Sequence, residues 1–565
     1  MCRRSLRVHR PVIEWLPNER FYEPSAHFTQ PHFGTRMKTD DGVPSDSGSV
    51  TDSILRTGAH YDSAPYPSFP YPRLQPTRLS AIAHLFSLSA PPVHTARVLE
   101  IGCAAGGHLI PLAAAYPQAR FVGLDVSPVQ IRQGQERIAR LGLTNIELIC
   151  LSITDMGSQQ GPFDFIICHG VYSWVPDEVR EAILRVCREW LAGNGIAVIS
   201  YNVLPGWRML QIVRDCALLH AGSEETQAGR AARVRQLLDL FKSATPEKTS
   251  YGQIWRHEAQ RMRNLPDSYL VHELFEENNS PCTFVEFASA ARRHGLAYLG
   301  ETSVGTMIPE VQVPEAAEAV RALSGSELWA AEQYMDMVSG RTFRQTLLVH
   351  EEAQSSIDRS FDPARLRDLH MTASSGFKPA ASKAPGEHAF DDGTGTTLST
   401  DDHLVAQAIE RFMARLPSSS SLTDLIPLNY TDVERENIAK AFLKMLALGM
   451  VQISTEPIIL PSEVAERPKA WAVARLDAAS RAAVTATRRH ELFELNPLAT
   501  ILLPLLDGTR TRDDLATHLT AFAREGQIVI SGSGQRLLDD ALREAAGRLV
   551  DQFLKTALRA GLLED

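Results

Sequence analysis

Between residues 96 and 202, short apolar runs alternate with longer stretches whose apolar positions recur at helical spacing. The runs fall at 98–101, 119–125, 146–155 and 163–168, and a fifth ends at Tyr201 and Asn202. Runs this short and continuous suit parallel strands buried on both faces. The first leads into Gly102, Gly106 and Gly107 and then into a helical pattern from Leu109. Strand, glycine turn and helix in that order predict a doubly wound α/β sheet that brings backbone N–H groups close to a nucleotide-like ligand. From 210 to 349 the period is largely helical, as at 231–241 and at 283–294, where Thr283 precedes an apolar run in the manner of a helix cap.

The flanks have a different texture. Residues 1–60 are rich in Pro, Ser, Asp and Gly without a sustained period, and are expected to be disordered. Within 353–400, Ser374, Ser375, Pro379, Pro385 and a Gly393-Thr-Gly-Thr-Thr run read as a flexible linker. Beyond it, 401–485 and 486–565 each carry a winged-helix-like pattern, with a turn at Asp507-Gly508 and a helix starting at Thr511 or Arg512. The expected division is a 1–60 tail, a 61–209 ligand-binding core, a 210–352 helical domain, a 353–400 linker and two C-terminal interaction domains.

Charge and cysteine usage narrow the function classes. The net charge is −10 and only nine of the 565 residues are lysine, so no global basic field exists to hold nucleic acid. Residues 401–460 hold eight acidic against five basic side chains and 486–565 twelve against ten, so these winged-helix patterns suit protein partners. No uninterrupted apolar run approaches the roughly 18 residues of a membrane span, and no membrane insertion is expected. The seven cysteines are widely spaced without a CxxC pair, which points to reduced thiols in a cytoplasmic protein and to no structural metal.

Two carboxylates give the glycine turn its chemistry. Glu100 precedes Gly102, and Asp125 ends the second strand, placed to accept both hydroxyls of a ribose. A dinucleotide fingerprint reads G-x-G-x-x-G, whereas here Ala104 stands where its second glycine would be. A pyrophosphate is poorly served by an adjacent glutamate, while a sulfonium and an α-ammonium are well served by it. That charge argument favours S-adenosylmethionine over NAD.

The strings Glu100-Ile-Gly-Cys-Ala-Ala-Gly-Gly, Val122-Gly-Leu-Asp-Val-Ser and Phe163-Asp-Phe-Ile-Ile-Cys-His-Gly resemble motifs I, II and IV of class I S-adenosylmethionine-dependent methyltransferases. Tyr61-Asp-Ser-Ala-Pro-Tyr, His169-Gly-Val-Tyr-Ser-Trp-Val-Pro and Ser200-Tyr-Asn-Val-Leu-Pro-Gly-Trp resemble one bacterial subfamily, which has an attached regulatory domain and includes the outer-membrane-protein lysine methyltransferases. Leu274-Phe-Glu-Glu-Asn-Asn-Ser-Pro and Arg341-Thr-Phe-Arg-Gln-Thr-Leu-Leu-Val look like that domain. The resemblance implies a Rossmann-like, seven-stranded doubly wound core, a helical regulatory domain for substrate or dimer contacts, and methyl transfer to protein lysines by in-line displacement.

Site roles follow from the same resemblance. Glu100, Gly102, Ala104 and Gly107 would line the methionine end of the cofactor, Asp125 the ribose and Ser127 the adenosine. Many members place an aspartate where Ser152 stands, so Ser152 or the backbone at Ile153 would take the adenine, with Asp155 a second candidate. Tyr61 and Tyr66, in a proline-rich strap, would close over the cofactor. His169, Tyr172 and Tyr201 are the expected catalytic groups, and Trp174, Asn202 and Trp207 the substrate contacts. Expected partners are a protein substrate, such as an envelope protein before export, or a small molecule, and a second copy of the chain in a homodimer. A small-molecule N- or O-methyltransferase and a non-catalytic cofactor binder are the alternatives.

Overall fold

The computed structural model describes residues 6–9, 62, 68–155 and 161–564, apart from 225, 375, 383, 527, 533, 534, 537 and 538. Seven strands form one sheet: β1 Arg97–Ile101, β2 Arg120–Asp125, β3 Ile146–Cys150, β4 Phe163–Cys168, β5 Leu191–Asn202, β6 Leu296–Glu301 and β7 Phe343–His350. Their order is β3-β2-β1-β4-β5-β7-β6. β7 runs antiparallel to both β5 and β6, and the other pairings are parallel. The order reverses between β1 and β4, where open α/β sheets leave a crevice for ligands beyond the strand ends.

The continuous apolar runs are explained by burial on both faces. Val98, Phe165 and Ile167 enter one core with Leu79, Ile82 and Leu109, while Leu99, Ile166 and Cys168 enter the opposite core with Ile183 and Cys187. Helices α1 Pro76–Leu85, α2 Leu109–Ala115 and α3 Pro128–Leu141 therefore sit against the first face and α4 Asp177–Trp190 against the second.

The sheet is not closed within 61–209. β6 and β7 come from the segment read as a helical domain, so that boundary is corrected: the 210–352 stretch is threaded through the core. The reason lies in pairing, since Phe343–His350 pairs on one edge with β5 and on the other with β6, both distant in sequence. The helices between β5 and β6 are α5 Trp207–Ala221, α6 Gln227–Ala244, α7 Ser250–Met262, α8 Asp267–Phe275 and α9 Phe284–Arg293. α5 to α8 share their own core around the fully buried Trp255. α9 begins with a capping box in which Thr283 and Glu286 satisfy each other's backbone N–H, as its sequence suggested. The link to β7 carries α10, Leu328–Ser339. Arg344 of β7 is wholly buried among Glu301 at 2.7 Å, Glu332 at 2.9 Å and Asp336 at 2.8 Å.

The 353–400 segment is not a flexible linker. Strand β8, His370–Ala373, pairs with Ser420–Ser421 and Val451–Ser454, and Lys378–Ala380, His388–Asp391 and Thr397–Thr400 form an antiparallel sheet. Its Ser, Pro and Gly residues are interspersed with Leu366, Met371, Phe377, Phe390 and Leu398, all buried in the core that continues from the sheet's first face. Leu6–His9, inside the stretch expected to be disordered, adds a strand against Thr397–Thr400. The remainder of 1–60 lies outside the described residues.

The division at 485/486 also moves, because it would cut the hairpin of Val484–Ala486 and Leu492–Glu494. The C-terminal unit opens earlier, with Lys469–Ala470 paired to Leu563–Glu564, and has a separate core around Trp471, Leu515 and Phe553. Its helix Arg512–Arg524 starts from a capping box at Thr511. No helix among the described residues is long and apolar enough to cross a membrane.

Candidate functional site

The glycine turn after β1 is pinned by Asp125. Its Oδ2 accepts from the Ala104 N–H at 2.8 Å and its Oδ1 from the Ser127 N–H at 2.9 Å. Ala104 holds a left-handed φ of +50° and Gly102 one of +76°. A Cβ at Gly102 would fall 2.3 Å from Val171 Cγ2, and one at Gly107 2.3 Å from the Ser68 carbonyl oxygen. Both glycines therefore permit close approach of a neighbouring loop. Each Asp125 oxygen keeps a lone pair for a further donor.

These elements wall a cavity of about 570 Å³ that also reaches the helical insertion. Glu100, 3 % exposed, presents an Oε2 without a hydrogen-bond partner among the described residues. Burial, and then the charge of Asp125, raise the Glu100 carboxyl well above the usual carboxylate range. Burial likewise raises Asp125, against the hydrogen bonds it accepts. Such a pair calls for a cationic, hydroxyl-bearing ligand. His169 also lines the cavity, with its Nδ1 unpartnered among the described residues and its ring edge-on to Tyr71 at 4.3 Å. Burial lowers its pKa to about 4, so the imidazole is neutral at physiological pH.

The cavity gathers most of the expected residues. Glu100, Gly102, Ala104, Asp125, Ser152, Ile153 and His169 line it, as do Trp174, Asn202 and Trp207. Trp174 and Trp207 meet edge to face at 6.1 Å, and Asn202 Nδ2 and Trp207 Nε1 have no partner among the described residues. Ser152 spends its hydroxyl locally, 2.8 Å from Thr154 Oγ1. Other expectations are corrected. Tyr172 and Tyr201 are 5 % and 1 % exposed and pack on Phe287 in the core rather than on the cavity. The Tyr201 hydroxyl is 3.2 Å from Thr346 Oγ1. Ser127 is buried as the N-cap of α3, its hydroxyl donating to Asp62, and Gly107 gives its N–H to Ser68 Oγ at 2.6 Å. Neither lines the cavity. Tyr61 and Tyr66 lie outside the described residues.

Several lining residues escaped the sequence reading. Tyr71 lay in the proline-rich strap, His108 directly after the glycine turn and Phe343 inside the Arg341–Val349 string, yet none was given a role. Tyr269, His272, Glu273 and Glu276 also line the cavity, and their i, i+3, i+4, i+7 spacing along α8 and its C-cap was a readable polar stripe. Glu273 is pushed up to about 7, chiefly by burial.

The strand order, the acid at the end of β2 and the acid before the turn define a class I S-adenosylmethionine-dependent methyltransferase. The methyltransferase-domain family matches residues 98–195, the predicted methyltransferase regulatory domain matches 266–350, and the C-terminal winged helix domain of PKMT matches 466–562. The uncharacterized protein RP789 of Rickettsia prowazekii is 33% identical over 524 residues, which cover 88% of this chain and 93% of that protein. The structure of PKMT2 from Rickettsia typhi, also known in complex with AdoHcy, superposes with a TM-score of 0.78 at 28% identity, covering 88% of this chain and 100% of that one. The chain belongs to this family of bacterial methyltransferases, built from a class I core, a regulatory domain and a PKMT winged helix.

Proposed function

We propose that the chain methylates lysine side chains of protein substrates. The observation that carries this reading is the composition of the cavity wall on the side of the helical insertion. Glu273 and Glu276 stand there with the Trp174–Trp207 pair. Carboxylates and aromatic faces attract an ammonium group and do little for a neutral hydroxyl or a carboxylic acid. The resemblance to outer-membrane-protein lysine methyltransferases supports the same class, including envelope proteins before export.

Bound S-adenosylmethionine would supply a methyl group on a positively charged sulfur whose leaving group departs neutral. The unpartnered carboxylate oxygen of Glu100 fits its cationic end and the two oxygens of Asp125 its ribose hydroxyls. The chain's task is then to align the acceptor nitrogen and strip its proton. Glu273, poised near 7, takes that proton at neutral pH. His169, held neutral and a poor base, orients the nitrogen instead. The tryptophan rings hold the aliphatic stem, and the Asn202 amide donates to an oxygen of the substrate.

The test is to incubate the protein with isotope-labelled S-adenosylmethionine and a fractionated lysate. Label in discrete protein bands, on lysine and abolished by Asp125→Ala, is the expected result. Label confined to small molecules would replace this reading with a small-molecule N- or O-methyltransferase. No label, with cofactor binding intact, would point to a non-catalytic binder.

A further inference from the structure

His490 belongs to the C-terminal winged helix, 382 residues from His108 in sequence, yet its ring meets that of His108, which lines the cofactor cavity. His490 Nε2 is 2.8 Å from His108 Nδ1, and both residues are buried, at 3 % and 2 % exposure. The proton on that bond can be assigned. The Tyr71 N–H, which can only donate, also faces His108 Nδ1 at 3.3 Å, so His108 carries its proton on Nε2 and the one lone pair of Nδ1 is shared between Tyr71 and a donating His490 Nε2. Burial holds both rings neutral, which keeps this arrangement in place at physiological pH.

The contact is anchored on both sides. On the winged helix, His490 has a left-handed φ of +61°, a conformation that costs a residue with a Cβ and persists where surroundings impose it. Thr487 supplies that frame: its Oγ1 accepts from the N–H of Arg489 and of Glu491, and its carbonyl accepts from the His490 N–H. On the core, the same turn takes the Gln75 side chain on the Arg489 carbonyl at 3.2 Å. Gln75 ends the strap whose Ser68, Phe69 and Tyr71 line the cavity, and Tyr71 is the ring that faces His169.

We propose that His490 is a positioning residue for the cofactor site. By donating to His108 it fixes the helix start behind the glycine turn and the Tyr71 strap over the cavity. This one contact of the winged helix thus tunes cofactor affinity, whatever the methyl acceptor.

The test is calorimetric titration of S-adenosylhomocysteine into the full-length protein and four variants, each paired with a thermal melt. His490→Ala and His490→Asn are expected to bind about tenfold more weakly, the worth of one lost buried hydrogen bond. Asparagine tolerates a positive φ but is too short to reach His108, so His490→Asn is expected to stay folded without added backbone strain while binding worse. A folded His490→Asn that binds worse separates positioning from folding, even if His490→Ala fails to fold. His490→Gln restores the reach and the donor and is expected to recover affinity to within about threefold. Arg140→Ala removes another winged-helix contact, to Ser480 Oγ at 2.8 Å and away from the cavity, and is expected to leave affinity unchanged. Wild-type affinity in His490→Asn, no recovery in His490→Gln, or an equal loss in Arg140→Ala would each overturn the proposal.

Discussion

Replacing Glu100 by glutamine keeps shape and removes charge, and the structure gives two consequences of opposite sign. The side chain is almost fully buried with Oε2 unpartnered, and burial together with Asp125 raises its pKa. Toward the cationic end of S-adenosylmethionine, the ionised carboxylate would contribute a charge-assisted contact worth about 1.5–3 kcal/mol, so Glu100→Gln should weaken binding by roughly 10- to 150-fold. In the free protein the same charge is a burden. An acid whose folded pKa lies above its unfolded value binds a proton more tightly when folded, so its contribution to stability is present at low pH and lost as pH rises through the folded value. Glu100→Gln removes that loss, and the free variant should melt higher than the wild type on the alkaline side. Binding of the cation to the wild type should also release a proton, seen as a buffer-dependent heat that the variant lacks. Calorimetry in two buffers and melts across pH read all three. An affinity loss under about threefold, or a variant less stable at alkaline pH, would refute the reasoning.

Other residues separate binding, turnover and folding. Asp125→Ala should cut cofactor affinity at least about 100-fold by calorimetry, since it also frees the N–H groups of Ala104 and Ser127, each such bond worth about 1.5–3 kcal/mol. Glu273→Gln should lower turnover with cofactor affinity intact. Because Glu273 rises from 4.5 to about 7 on folding, the wild type should lose stability as pH climbs through that window, and melts of the variant should be flatter there. Tyr201→Phe should leave turnover within about twofold and cost roughly 0.5–1.5 kcal/mol in urea unfolding, since only the Thr346 contact is lost; a collapse of turnover would return Tyr201 to the active site. Arg344→Met leaves Glu301, Glu332 and Asp336 unpaired by that guanidinium and should cost about 3–5 kcal/mol in the same assay.

Local pattern carried the first half of the protein. The runs at 98–101 and 163–168 read as strands because both faces of the sheet demand apolar residues, and Gly102 and Asp125 read as a cofactor turn because that backbone and that acid serve one ligand. Thr283 and Thr511 announced helix starts because capping is a contact across only three residues. Tyr172 and Tyr201 show where such reading stops. Their neighbours in sequence, Val171 and Asn202, do line the cavity, and a step of one residue turns a side chain to another wall.

What sequence alone determined, then, was whatever short-range chemistry can state: the strands of the core, the glycine turn, the choice of a cationic nucleoside ligand and the helix caps. Tertiary structure decided the rest, because those features depend on pairings between distant segments. β6 and β7 close the sheet only through partners far along the chain, and Phe377, Phe390 and Leu398 turn an apparent linker into folded structure by finding a core to enter. His108 meets His490 across two domains, and no periodicity or spacing encodes a contact of that range.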